Sequence, residues 1–177
     1  MSEEKDKLLL SFLTEDDLND FKWDMYDAMR YSAIKRKEHP SFDEDDLPSN
    51  ENILQAYYYP EAVAIKVVLN GEMVASILFH PQGNHRFAHI VFFYVKSQYQ
   101  GRGIGKQVID YVLQSYPDYD CWTSLVHEFD EPLLNFFINR CGFRGTQVFN
   151  EHNPSNDPLT PDGTIMLVKW TDGLTED

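Results

Sequence analysis

Residues 87–114 read FAHIVFFYV, then KSQY, then QGRGIG, then KQVIDYVLQ. The first segment is apolar and aromatic with β-branched members, the composition of a buried strand. In the last segment Val108, Tyr111 and Val112 follow Ile104 at helical spacing. A strand therefore feeds a helix through a glycine-rich turn. Gly101, Gly103 and Gly105 admit positive φ and put no Cβ in the way of a ligand, where the first helical N–H groups lack partners. Those donors and the positive end of the helix dipole form a cradle for phosphate oxygens, and Arg102 and Lys106 add charge of the matching sign. Two common phosphate loops are excluded by spacing. A P-loop needs glycine at position 100 and the dinucleotide fingerprint needs it at 106, where this chain has Gln100 and Lys106.

The run Gln100, Gly101, Arg102, Gly103, Ile104, Gly105 resembles the pyrophosphate loop of the GNAT superfamily of acyl-CoA-dependent N-acetyltransferases. There Gln or Arg is followed, after two free positions, by Gly, one free position, and Gly or Ala. The strand ahead of it is similar to that of the histone acetyltransferase branch, F-A-E-I-V-F, which here is Phe87, Ala88, His89, Ile90, Val91, Phe92. The resemblance covers residues 62–143. It implies an α+β (mixed α/β) fold, a strongly bent, mostly antiparallel sheet of about six to seven strands flanked by about four helices, with the fourth and fifth strands splayed apart.

The resemblance also implies acetyl-CoA as co-substrate and no metal. Main-chain groups of Phe93, Tyr94 and Val95 would meet the pantetheine arm, and Gln100, Gly101, Arg102, Gly103, Ile104, Gly105 and Lys106 would hold the pyrophosphate. An unpaired amide, that of Val95, would stabilise the oxyanion of a tetrahedral intermediate. His89 stands where the histone enzymes carry a glutamate base and is the expected catalytic residue, against a packed structural histidine; His127 and Glu128 come next. In many relatives a Tyr five residues before the Phe of a Gly-Phe pair protonates the departing thiolate. Ahead of Gly142-Phe143 that residue is Ile138, so solvent is expected to do so here.

The implied chemistry sets two proton demands. A lysine-like amine with a pKa near 10.4 is neutral only about once in 2,500 at pH 7, so it must lose a proton before attacking a thioester. A neutral imidazole of pKa near 6.5 can accept that proton, and a thiolate of pKa near 8.5 can take one from water. His80, His85 and His89 have no sulfur or carboxylate beside them to complete a metal shell.

The chain of 177 residues suits one domain, expected over residues 1–170, with an acidic and disordered tail at 171–177. A formal net charge of −14 without a basic stripe argues against nucleic acid. The charge is either solubility alone or attraction of a cationic acceptor, a small-molecule or peptide amine. The start lacks a basic signal region and residues 8–13 are too short to cross a bilayer, so no membrane partner and a cytoplasmic location are expected. Cys121 and Cys141 are expected as two buried thiols. Monomer and homodimer stay equally open.

Along the chain, residues 8–13 form the expected first strand, Thr14 caps a helix running to about residue 37, and His39-Pro40 breaks it. The acids Asp43 to Asp46 are a solvated loop or an amine-recruiting lip. Residues 53–59 form a short helix, and 62–69 and 72–79 are strands joined by Asn70-Gly71, a strong hairpin signal. A strand over 118–126, a helix over 131–141 with Leu134, Phe137, Ile138 and Cys141 inward, and strands over 143–149 and 164–170 complete the reading. The connection 150–163 is a mobile link or a substrate lip. A non-catalytic acyl-CoA sensor and a phosphate-binding module of another fold remain the alternatives.

Overall fold

A computed structural model describes residues 7–35, 47–128, 130–158 and 160–171. The expected break at His39-Pro40, the acidic run Asp43 to Asp46 and the tail beyond Thr171 lie outside them. Seven strands form one sheet: β1 (Leu9–Phe12), β2 (Val63–Leu69), β3 (Glu72–Gln82), β4 (Phe87–Val95), β5 (Cys121–His127), β6 (Arg144–Phe149) and β7 (Thr164–Trp170). Their spatial order is β1-β2-β3-β4-β5-β7-β6. Every neighbouring pair is antiparallel except β4 with β5, which is parallel. Helices α1 (Leu18–Lys35), α2 (Asn50–Tyr57), α3 (Ile104–Ser115) and α4 (Glu131–Asn135) complete the α+β fold.

Local chemistry accounts for the boundaries. The β2–β3 hairpin turns on Asn70 and Gly71 at φ 51° and 82°, the paired positive angles that Asn-Gly supplies to a type I′ turn. β3 runs beyond its expected end at Phe79 to Gln82; Pro81 removes no bond there, because β2 has already made its last pair, Val63 with Phe79. Helix α2 starts at Asn50, ahead of the expected residue 53. Ser49 Oγ accepts from Asn52 N at 3.1 Å while Asn52 Oδ1 accepts from Ser49 N at 3.1 Å, a reciprocal cap. At α1, Asp17 accepts from Thr14 N at 2.8 Å, which closes the short turn Glu15–Asp17 before the helix.

Apolar side chains cover both faces of the sheet. On one, Ile104, Val108, Ile109 and Val112 of α3 pack on Ile77, Phe79, Ile90 and Trp122. On the other, Phe21 and Met25 of α1 and Ile53 and Ala56 of α2 pack on Ala64, Leu78 and Tyr94. Each buried Val, Leu, Ile, Phe or Met among them contributes about 1.5–3 kcal/mol. A bulge interrupts the β3–β4 ladder. Leu78 faces Phe92 and Phe79 faces Ile90, leaving Val91 extra. The extra residue shifts the alternation, so Ala88 and Ile90 join the α3 face before it and Phe93 and Val95 after it.

Candidate functional site

The fold opens a seam at the parallel pair. β4 and β5 are partnered from Phe87 with Cys121 to Ile90 with Ser124; beyond Ile90, β4 stays with β3 and β5 with β7. Lys96 N donates to Val74 O at 2.9 Å. Residues of an antiparallel strand alternate in the neighbour they address, so Phe92 and Tyr94 turn their main chain to β3 while Phe93 and Val95 turn theirs into the seam. Buried main-chain groups require partners, and Val95 O has one in Gln100 Nε2 at 2.9 Å. The three residues expected to meet a pantetheine arm therefore divide. Tyr94 turns its main chain to β3, and its side chain is buried under α1.

The turn after β4 has the open shape an anion needs. Gly101 and Gly103 sit at φ 77° and 78°; a Cβ at Gly101 would meet nothing within 4 Å, and one at Gly103 only Gln107 Nε2 at 4.0 Å. Gly103 is the residue capping α3, so the free N–H groups of the first helical turn border that space. These residues fit a diphosphate. Arg102 lies 5.2 Å from the Tyr99 ring centre, Lys106 Nζ pairs with Asp110 at 2.5 Å, and the Ile104 side chain is buried against the sheet. Gly105 serves a different purpose. Its Cβ would stand 3.0 Å from the Phe136 ring, which stacks on Phe93 with centroids 5.4 Å apart. Gly105→Ala is expected to cost about 1–3 kcal/mol through overpacking, read by urea denaturation; an unchanged midpoint would mean that the rings yield freely.

At the inner end of the seam His89 stands opposite His80 of β3 and Thr123 of β5. Its Nδ1 is 2.8 Å from Thr123 Oγ1. His80 Nε2 donates to Ala56 O at 2.8 Å, and its ring stacks on Tyr59 at 4.1 Å. Burial first, and then the neighbouring His80, push His89 down to about 4. The imidazole is neutral at pH 7. His127 Nε2 donates to Asp162 O at 2.8 Å, and Glu128 N to Gly163 O at 2.8 Å, so both residues lie against the turn before β7. Among the described residues no group of His, Cys, Asp and Glu could hold a metal ion.

Helix α4 departs from the expected continuous helix over 131–141. After Asn135 the chain widens into a π turn, Phe136–Arg140, where Cys141 N reaches Phe136 O at 3.1 Å. The extra residue rotates the stripe: Phe137 stays buried, while Ile138, expected inward, is 41% exposed. Asp130 Oδ1 caps α4 by accepting from Leu133 N at 3.4 Å and also accepts from Ser32 Oγ of α1 at 2.9 Å. Pattern reading missed the α1 carboxylates Asp20, Asp24 and Asp27 on the polar side of that helix. Asp27 accepts from Ser97 N at 3.2 Å and Ser97 Oγ at 2.7 Å, just ahead of the glycine turn.

Comparison with known proteins agrees with this architecture. The family model described as "Acetyltransferase (GNAT) family" matches residues 18–143. YrkN of Bacillus subtilis (strain 168), an uncharacterized protein, is 27% identical over 149 residues, which are 83% of this chain and 78% of YrkN. An acetyltransferase from Thermus thermophilus superposes with a TM-score of 0.67 at 17% identity, over 93% of this chain and 97% of its own. The PaiA N-acetyltransferase from Thermoplasma acidophilum, solved in complex with coenzyme A, gives 0.71 at 12% identity, over 93% and 99%.

Proposed function

We propose, because this chain belongs to the acetyltransferase (GNAT) family, that it moves acetyl from acetyl-CoA to a primary amine by direct attack with both substrates bound. The observation that carries the reading is the seam: Phe93 and Val95 address it with their main chain, and the open turn at Gly101 and Gly103 follows at the head of α3. Bound acetyl-CoA supplies an activated thioester. The amine nitrogen forms a bond to the acyl carbon, the C–S bond breaks, and the thiolate leaves.

In this reading the Phe93 or Val95 N–H donates to the acyl oxygen as negative charge develops there. The cradle at residues 100–106 holds the diphosphate, with Arg102 and Lys106 adding positive charge. His89 accepts the amine's proton through water. Supporting this are its place beside the last β4–β5 pair, its neutrality, and the Thr123 hydroxyl that orients the ring. Water protonates the thiolate, since position 138 is an isoleucine.

Thiol release from acetyl-CoA across polyamines, aminoglycosides, amino acids and peptides tests the reaction; no release with any amine would overturn it. His89→Gln is expected to lower kcat by about 100-fold or more and to remove an acid limb near the pKa of the group. An unchanged kcat and pH profile would remove His89 from the mechanism. A silent acyl-CoA-binding domain is the second reading. It is favoured by Ile138 in place of the usual tyrosine, and by the weak basicity of a histidine at about 4. Calorimetric binding of coenzyme A without turnover would support it. Acceptance of protein N-termini or lysines in place of small amines is a further outcome of the same panel.

A further inference from the structure

A turn built on glycines is free to move, yet the side chains of residues 96–100, which lead into this one, are each held from outside it. Ser97 Oγ donates to Asp27 at 2.7 Å, and Gln100 Nε2 to Val95 O at 2.9 Å. The other three meet on a single carboxylate. Glu72 Oε2 accepts from Tyr99 Oη at 2.6 Å, and Glu72 Oε1 from Lys96 Nζ at 2.8 Å and from Gln98 Nε2 at 3.4 Å. Glu72 opens β3 directly after the Asn70-Gly71 turn, and Lys96 N donates to Val74 O at 2.9 Å, so the hairpin brings this carboxylate to the point where β4 ends. The hydrogen bonds from Lys96 and then Tyr99 hold Glu72 below the usual carboxylate range, and it is ionised at pH 7.

The tie continues into the cradle. Tyr99 packs its ring against the apolar core under α3 while its hydroxyl is fixed to Glu72. The Arg102 guanidinium lies over that ring, 5.2 Å from its centre, and is attracted by the ring quadrupole. With Gly101 and Gly103 on either side, both at positive φ, Arg102 has no stiff backbone to aim it. What aims it is the ring. Fixing a long side chain and a glycine backbone before a ligand arrives removes an entropic cost from binding.

We propose that Glu72 is a positioning residue for the diphosphate cradle: through Tyr99 it sets the ring on which Arg102 rests, and through Lys96 and Gln98 it sets the path of the chain into Gly101. The proposal rests on the acetyl-transfer reading for the identity of the anion, the diphosphate of coenzyme A. It goes beyond that reading by assigning part of the coenzyme affinity to a carboxylate, whose own charge repels the ligand. In this role the carboxylate acts through Tyr99 and Arg102 and need not touch the coenzyme.

Calorimetry with coenzyme A on the full chain tests it. Glu72→Ala is expected to weaken binding by about tenfold, and Tyr99→Phe, which keeps the ring and deletes only its bond to Glu72, by about threefold. By charge alone, removing an acid beside an anion site would tighten binding, so the sign of the change separates positioning from electrostatics. Once Arg102→Ala has been made, Tyr99→Phe should have no further effect, a coupling that a general loosening of the turn would not produce. Tm should fall by at most about 4 °C in either variant, because exposed ion pairs add little to stability. Unchanged or tighter binding in either variant would overturn the role. So would losses that simply add to that of Arg102→Ala, or a larger fall of Tm in both variants, which would make the network a structural one. If the native chain binds no coenzyme A, the transfer reading and the positioning role fall together; if it binds and the variants bind alike, only the positioning role falls.

Discussion

Gly103→Asp is expected to leave the protein folded and to weaken coenzyme A binding by about 100-fold or more. The space admits a side chain, since the nearest atom to a new Cβ is Gln107 Nε2 at 4.0 Å; the φ of 78° strains any L residue, Asp and Asn least, and Gly103→Asp and Gly103→Asn share that strain. The charge is the difficulty. Two like charges about 4 Å apart repel by about 4 kcal/mol at the effective dielectric of a protein surface, more than the roughly 2.7 kcal/mol that a 100-fold loss requires. Gly103→Asn has the same shape without the charge and should lose only a small part of the affinity. Calorimetry with coenzyme A, paired with urea denaturation, reads both effects. If the Asp and Asn variants bind alike, the turn is not an anion cradle, and Gly103 is there for the bend alone.

Acid should weaken the fold through His89. Its folded value of about 4 lies below the ordinary histidine value of 6.5, so between those two pH values the unfolded chain binds the proton first. Stability from this group is full above about pH 6.5, falls as pH drops toward about 4, and falls no further below that; the total is at most about 3 kcal/mol. Asp24 acts with the opposite sign. Raised from 3.8 to about 6, it costs stability above about 6 and is relieved as pH falls, by an amount that its partial exposure reduces. The two slopes oppose each other across the same window. The difference in stability between the native chain and His89→Gln therefore isolates the imidazole and should shrink steadily from pH 7 to pH 4. A constant difference in urea denaturation over that range would mean that the ring titrates normally in the folded state.

Much of the fold was legible because it is written in short-range chemistry. Asn70-Gly71 states its turn type outright, and the apolar run from Phe87 to Val95 followed by alternating glycines reads as strand, turn and helix. What escaped reading depends on single-residue irregularities or on contacts distant in sequence. Val91 looks like any other strand residue, yet its bulge decides that Phe93 and Val95, and not Tyr94, address the seam. The π turn at Phe136–Arg140 likewise moves Ile138 outward without disturbing the apolar pattern of its helix. Three glycines at alternate positions suggested one purpose, but Gly105 answers to Phe136, more than thirty residues away in the chain. The neutrality of His89 follows from burial beside His80, a neighbour that only the β3–β4 register brings opposite it.

The β4 edge that faces the seam beyond Ile90 presents peptide groups. Peptide N–H and C=O are common to almost every residue type, so exchanging Phe93 or Val95 for another side chain reshapes the walls and leaves the donors standing. Proline is the exception, as it alone lacks the hydrogen. The contact surface there is thus insulated from ordinary coding changes, and what inheritance must preserve is the frame that aims it: the odd residue at Val91 and the early parting of two parallel ribbons.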